Sequence, residues 1–468
     1  MQNKSKRITS VIIAICLVIA LSATFSNQIA GNKFGVYAQG TTTWYISPTG
    51  IDDTDNIQFA LDNAAPGDII QLSAGQFYCT HIEVEDFHGT FKGAGQTATT
   101  IDVIPGGPVI YDYIPPYGCQ WNYFFKFEDG DFTISDMHFD ITPYHPANEW
   151  IWFFEVTTAV GDILFLTGDC VNAHIERVSF TAHDGTYNGR NVNDGIAFWS
   201  EIVIPEFEYV SGSLTVSNCS FENMDFSILC ERVTDSDISI SQNSMTNGFS
   251  GCGIAYAFNN QLAITHNQIT NMDAYSIFLW EADDVVIADN EIDTSGLAYS
   301  AWSPILGSNS RNAKITRNHI TGNYVYGVNP YAGSDGWTIE HNTFGQTKAG
   351  ETLGISAAYG VIAIEGCHDC VAAYNKFYDV HDSFYAIYVW GNNNAILSNQ
   401  IRGTSLFGLF VDESSTGCYL RGNNLDNFNA LYADICLWYG TNDNTVVVGA
   451  ANSIIDLGIN NVIGYEDE

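Results

Sequence analysis

From Ile240 to Leu425 one arrangement of apolar and polar positions recurs along the chain. It is an aliphatic residue, two variable residues, Asn, one variable residue and an apolar residue. It reads Ile240, Asn243, Met245; Ile264, Asn267, Ile269; Ile287, Asn290, Ile292; and Ile315, Asn318, Ile320. It continues as Ile339, Asn342, Phe344; Ala372, Asn375, Phe377; Ile396, Asn399, Ile401; and Leu420, Asn423, Leu425. Successive asparagines are 24, 23, 28, 24, 33, 24 and 24 residues apart. A period in the twenties with strand-like alternation predicts a solenoid.

Each repeat holds about three short β-rich runs separated by polar turns. One run ends in the Asn motif; a second follows it, as in Tyr275–Trp280 and Tyr385–Trp390. Some two dozen residues are too few for a strand-plus-helix unit and enough for one coil of three strands. The pattern therefore predicts an all-β, single-domain solenoid of parallel strands. In-register asparagines would form a ladder in which each side-chain amide bonds the amides above and below. Upstream, Asp52 to Ala65 predicts a short amphipathic helix, capped by Asp53 or Thr54, with Ile57, Ala60, Leu61 and Ala64 on one face. Such a helix would plug the first coil, whose open end exposes core and strand edges. Gly93-Ala94-Gly95 is expected to be a tight coil corner, since no third glycine and no helix follow. Ile134, Met137, Phe139, then Ile175, Val178, Phe180, and then Val216, Cys219, Phe221 repeat the template with Asn replaced. Their spacing of 41 residues leaves room for long loops, one holding Tyr144 to Phe154 and another His183 to Tyr209. Loops on a rigid scaffold are where function concentrates. Thr445 to Ile463 is expected to complete the last coil, with Gly464 to Glu468 a frayed acidic end.

This repeat, with the helix and the Pro66-Gly67-Asp68 turn that enters it, resembles the right-handed parallel β-helix of the pectate-lyase-like superfamily. That group includes pectate lyases, polygalacturonases, alginate epimerases and NosD-like surface proteins. The resemblance covers roughly residues 44–465. It implies a single-stranded right-handed parallel β-helix and carries little about activity, because one fold hosts many functions.

Charge and leader restrict the setting. Lys4, Lys6 and Arg7 precede an apolar run from Val11 to Ala23, short for a membrane span and matched to a signal-peptide core. Residues 1–38 are thus expected to be a signal peptide, with an uncleaved N-terminal anchor as the alternative, and 39–468 the β-helix domain. Removing 1–38 takes four of the 16 basic side chains and none of the 53 acidic ones, leaving 12 against 53 and a net charge of −41. Such a surface disfavours nucleic acid, anionic lipid and, without bridging cations, polyuronates. Extracytoplasmic placement, secreted or at the cell surface, follows as an expectation. Ten of the eleven cysteines lie beyond the leader; an even count permits disulfides without establishing them. Cys367-His368-Asp369-Cys370 lacks the second pair a structural zinc site needs.

Three sets of residues could carry chemistry. The first is an aromatic stripe. If Ile277 and Leu279 face the core, Phe278 and Trp280 face out. By the same parity so do Trp199, Asn329 with Tyr331, Tyr388 with Trp390, Phe410 with Asp412, and Trp438. Exposed rings in a row suggest stacking platforms for sugars; covering by loops or by another protein is the alternative. The second set is His183, Asp184, Arg190, Asn191, Asn193, Asp194, Glu201 and Asp225. Asn193-Asp194-Gly195-Ile196 loosely resembles a segment of polygalacturonase-type hydrolases, whose next coil supplies a pair of aspartates; here Met224-Asp225 supplies only one. Hydrolysis needs two carboxylates, so Asp194 and Asp225, facing each other across adjacent coils, are the candidate acid and base, with Arg190 and His183 as further candidates. The family's Gly-His-Gly and Arg-x-Lys segments are missing, and the matching turn reads Gly251-Cys252-Gly253. The competing explanation is that Asp-Gly is a turn signal. The third set serves a polyuronate lyase or epimerase: Arg190 or Arg232 as base, with Ca²⁺ held by Glu231, Asp235 and Asp237 or by Glu281, Asp283 and Asp284. His266, His319 and His341 adjoin ladder asparagines and are expected to be turn residues.

The leading expectation is an exported protein that binds, and in the fuller version cleaves, a polysaccharide by hydrolysis or elimination. The rivals are a non-catalytic surface or envelope protein binding a glycan or protein, and a NosD-like periplasmic accessory protein. Only five methionines and no histidine cluster argue against copper handling.

Overall fold

The structure is a computed structural model that describes residues 41–104, 112–114, 119–121, 123–141, 162–182, 194–199, 209–449 and 452–465. The expected leader, His183, Asp184, Arg190, Asn191, Asn193, Glu201 and the Tyr144 to Phe154 loop lie outside the described residues. Residues 43–468 form one compact unit.

Strands climb in parallel, each pairing with its equivalent one coil later. The aliphatic position of the repeat stacks as Ile240↔Ile264↔Ile287↔Ile315↔Ile339, all fully buried. The apolar position two residues after Asn stacks as Met245↔Ile269↔Ile292↔Ile320↔Phe344↔Phe377. Below it Phe139, Phe180 and Phe221 extend the same column, their rings 5.5 and 4.9 Å apart and nearly parallel. Met137 pairs with Val178, so the irregular coils keep register across their 41-residue spacing.

All eight asparagines form the ladder, from Asn243 to Asn423. In each interior rung the backbone N–H and the side-chain Nδ2 both donate to the next Oδ1, as from Asn267 to Asn290 at 2.9 and 3.0 Å. Nδ2 also donates to a carbonyl of the preceding coil, as Asn290 to Ile264 at 2.8 Å. Cys219 starts the ladder by donating its N–H to Asn243 Oδ1 at 2.9 Å. The residue just before each rung is left-handed: Gln242, His266, Asp289, Arg317, His341, Tyr374 and Ser398 have φ of 52–58°. His266 and His341 are thus corner residues, as the sequence suggests, and stacked corners pair where charges allow. Arg317 donates to both oxygens of Asp289, at 2.9 and 2.6 Å.

A second ladder, invisible in the repeat motif, runs along another corner. Ser236 N donates to Asn260 Oδ1, Ser310 N to Ser334 Oγ, Cys370 N to Asn394 Oδ1 and Cys418 N to Asn444 Oδ1. Cys370 is therefore a core residue. Burial raises the Cys367 and Cys370 thiols to about 12, which disfavours the thiolate that zinc requires. Nine described cysteines are free, and only Cys170 is exposed.

The helix Thr54–Asn63 buries Ile57, Ala60 and Leu61 against the first coil. Asp53 does not cap it by side chain; its carboxylate accepts from Thr49 N at 2.7 Å and Tyr78 N at 3.0 Å, which anchors the helix to the entry strands. Gly93 is a corner, as expected: a Cβ there would meet Asp136 O at 2.3 Å. At the far end Gly464 and Tyr465 are strand, paired with Val447 and Val448, so the predicted fraying at Gly464 begins too early.

Candidate functional site: a carboxylate cluster and an aromatic sheet face

Two features stand out on the sheet that contains Asp194–Trp199, Phe226–Thr234, Ser250–Phe258 and Tyr275–Ala282. The first is a group of three acids. Asp162 and Asp194 are register neighbours on successive coils, and their carboxyls hydrogen-bond one another. Asp194 Oδ1 accepts from Phe226 N at 2.9 Å, next to Asp225. Removal from water raises the Asp194 carboxyl well above the usual range, and the charges of Asp162 and Asp225 raise it further. Asp162 is 1% exposed and accepts from Trp199 Nε1 at 3.4 Å. The structure thus brings Asp194 and Asp225 together and adds Asp162, which the sequence reading missed because it sought the second carboxylate in the following coil. The signal was present: Asp162-Ile163-Leu164-Phe165 aligns with Asp194-Gly195-Ile196-Ala197.

Asp194-Gly195 is strand rather than turn. Gly195 is required by close approach, since a Cβ would meet Ser227 O at 2.6 Å and the Phe221 ring at 2.7 Å. Gly251-Cys252-Gly253 is likewise strand, with a Cβ at Gly251 meeting Ser276 O at 2.5 Å. His183 and Arg190 lie outside the described residues.

Because the Asp194 carboxyl is raised, the folded state keeps its proton at pH values where the unfolded chain has lost it. That stability is complete below the unfolded value of about 3.9 and is lost as the pH climbs through the folded one. The unfolding midpoint is expected to fall as pH rises from the ordinary carboxylate range, and Asp194→Asn to flatten that fall. Parallel pH profiles for wild type and variant, by thermal melts, would refute the assignment.

Of the acids proposed for Ca²⁺, Glu231, Asp237 and Glu281 lie in strands rather than turns, and Glu231, Asp283 and Asp284 have protein partners. Glu231 lies 3.6 Å from Arg232, Asp283 accepts from Arg311 N at 2.8 Å, and Asp284 accepts from Asn312 Nδ2 at 3.1 Å. Among the described residues no three His, Cys, Asp or Glu are placed to hold a metal ion.

The second feature is the aromatic face. Register places Trp199, Glu231, Ala255, Trp280, Ser308, Tyr331, Glu365 and Trp390 in one row on successive coils. Asp412 and Trp438 continue it, one residue beyond the Val389↔Val411↔Leu437 pairs. Trp280, Tyr331, Trp390 and Trp438 are 44, 46, 45 and 36% exposed. Phe278 and Tyr388 line the adjacent row, half-buried. Three outward assignments need correction. Trp199 is 3% exposed, packed with Phe165, Tyr123 and Ala197. Asn329 is buried and turns its amide to Ala363 O at 2.6 Å. Phe410 is buried beneath Tyr385, Tyr388, Phe407 and Trp438. Each occupies the outward position, and neighbouring rings or strands cover it.

A third row was not anticipated. Trp302, Tyr326, Tyr359 and Phe384 follow one another at ring separations of 5.9, 4.8 and 6.1 Å, and Tyr385, Phe407 and Tyr432 extend them at 6.0 and 5.6 Å. Trp302, Tyr326 and Tyr359 sit just before strands, where an apolar residue reads as part of a turn, whereas Phe384, Tyr385, Phe407 and Tyr432 lie within long strands. Tyr388 OH donates to Asp412 Oδ2 at 2.5 Å. Burial raises the Glu365 carboxyl, and a hydrogen bond with Asn329 opposes that rise.

A family model described as right-handed β-helix region matches residues 207–357. The Dettilon tailspike protein is 15% identical over 82% of this chain and 68% of its own, with a TM-score of 0.50. The chain is a right-handed parallel β-helix. This β-helix also aligns with bacteriophage CBA120 tailspike protein 3, at 12% identity over 96% of this chain and 67% of that one, TM-score 0.47. A mannuronan C-5 epimerase module of Azotobacter vinelandii aligns at 13% identity over 90% and 97%, TM-score 0.37. No curated protein matches the sequence. No helix among the described residues is long and apolar enough to cross a membrane.

Proposed function

We propose that this β-helix is an extracytoplasmic glycan-recognition protein that lays a polysaccharide along its aromatic sheet face. One observation carries the reading: four large rings, Trp280, Tyr331, Trp390 and Trp438, stand in a single register row, each more than a third exposed. A soluble chain rarely leaves such a row uncovered without a ligand for it. Flat rings with polar neighbours suit pyranose faces, whose C–H groups stack while their hydroxyls reach Glu365, Asp412 and Ser308. The tailspike and epimerase likenesses support the scaffold and not the ligand. The test is retention of the protein on immobilised neutral glycans, with quenching of tryptophan fluorescence by soluble oligosaccharides. Absence of both across a broad panel overturns the proposal.

A second reading, hydrolysis, is favoured by the Asp162, Asp194 and Asp225 group at the foot of the same sheet. Asp194, holding a proton, would donate it to the glycosidic oxygen while Asp225 takes a proton from the attacking water. New reducing ends that Asp194→Asn and Asp225→Asn each lower at least about 10²-fold would support it. Unsaturated uronate absorbance that depends on Ca²⁺ would replace it with elimination.

A further inference from the structure

The row has a beat. Over seven successive coils it reads Trp280, Ser308, Tyr331, Glu365, Trp390, Asp412 and Trp438. Rings occupy the first, third, fifth and seventh positions; a hydroxyl or a carboxylate occupies each position between. With about 4.8 Å per coil, exposed rings recur every ~9.6 Å over a straight run of ~29 Å parallel to the solenoid axis. One pyranose of an extended glycan advances by about the height of one coil. In a flat ribbon, where both linkages on each ring are equatorial, successive rings turn over, so every second ring presents the same face. A coiled glycan built on axial linkages presents no such straight repeat.

Charge narrows the ligand further. No lysine or arginine occurs among these seven positions or among Phe278, Leu306, Asn329, Ala363, Tyr388 and Phe410 of the adjacent row. The row carries Glu365 and Asp412, with Glu281 and Glu413 following directly, on a chain of formal net charge −37. A polymer with a carboxylate on each sugar meets repulsion at two positions of the row and finds no cation. Asp412 is set in place to accept sugar hydroxyls, its Oδ2 holding the Tyr388 hydroxyl and its Oδ1 the Glu413 N–H at 2.7 Å.

We infer that the aromatic row selects an uncharged, equatorially linked, ribbon-like glycan bound parallel to the solenoid axis, one sugar per coil and every second sugar on a ring. This rests on the glycan-recognition reading and specifies its ligand. The experiment is calorimetric titration of the full-length protein with cellohexaose, maltohexaose and hexagalacturonate, followed by the shorter members of the first series. Cellohexaose is expected to bind at least tenfold more tightly than either other hexamer. Affinity is expected to climb with each added pair of sugars. Tyr331→Ala, at an exposed on-beat position, is expected to weaken cellohexaose by about tenfold and cellobiose much less. Equal binding of maltohexaose, preference for hexagalacturonate, or affinity that does not grow beyond the dimer overturns the inference while leaving glycan recognition standing. No binding by any of the three, or by the wider panel of neutral glycans, overturns both.

Discussion

Replacing Asn318 by alanine is expected to cost about 3–5 kcal/mol of stability, although the residue touches no proposed ligand site. Asn318 is fully buried in the middle of the ladder. Its Oδ1 accepts from Asn290 N at 3.0 Å and Asn290 Nδ2 at 2.9 Å. Its Nδ2 donates to Asn342 Oδ1 at 3.0 Å and Ile287 O at 2.9 Å. Alanine removes these four bonds and a fifth, from Nδ2 to Thr316 O at 3.3 Å, and strips the Asn290 N–H of its acceptor. A buried donor left without a partner costs about 1–3 kcal/mol, which exceeds the net gain of an average hydrogen bond. Leucine fills the volume and does not restore the acceptor, so it is expected to fare no better. Asn423→Ala, at the last rung, breaks no bond to a following amide and is expected to cost less. Urea unfolding of the three variants checks this. A loss under about 1 kcal/mol for Asn318→Ala would mean that the ladder is decorative.

The double substitution Trp280→Ala with Trp390→Ala is expected to lower affinity for a spanning glycan by about 10³-fold. Aromatic anchors at the centre of a contact are worth about 2 kcal/mol each. At about 1.4 kcal/mol per tenfold, each ring accounts for roughly 30-fold. The two lie four coils apart, about 19 Å, beyond the ~7–10 Å at which substitutions couple, so their effects should multiply. Both rings are nearly half exposed, so the unfolding midpoint should change little. Titration with a long and a short oligosaccharide separates the outcomes. If the double variant binds the long glycan no worse than either single variant, the ligand does not run along the row.

Legibility differed by feature. The main ladder and the core columns could be read because each recurs at one spacing: an interior amide must meet an amide, and the inward columns admit only apolar side chains, as in Met245, Ile269 and Phe344. The second ladder escaped notice because Ser, Asn and Cys all serve there, as in Ser310, Asn394 and Cys370, so no single letter repeats. The outward parity of Phe278 and Trp280 was legible from two-residue alternation. The covering of Trp199 and Phe410 was not, since exposure depends on what the neighbouring coils place over a position. Glu365 within the aromatic row was hidden by the 33-residue step from Asn342 to Asn375, which disguises its place in the stack.

Taken alone, the order of residues determined the coil, its period, the inward columns, the main ladder and the acidic character of the surface. These depend on local alternation and on a repeat that any one coil displays. Tertiary structure decided which outward residues share a row, that Asp162 joins Asp194 and Asp225, and that rings and carboxylates alternate along the axis. Those relations exist only between coils. They are set by the pairing of each strand with a strand some two dozen to 41 residues away, and insertions of unequal length conceal that register until the coils are stacked.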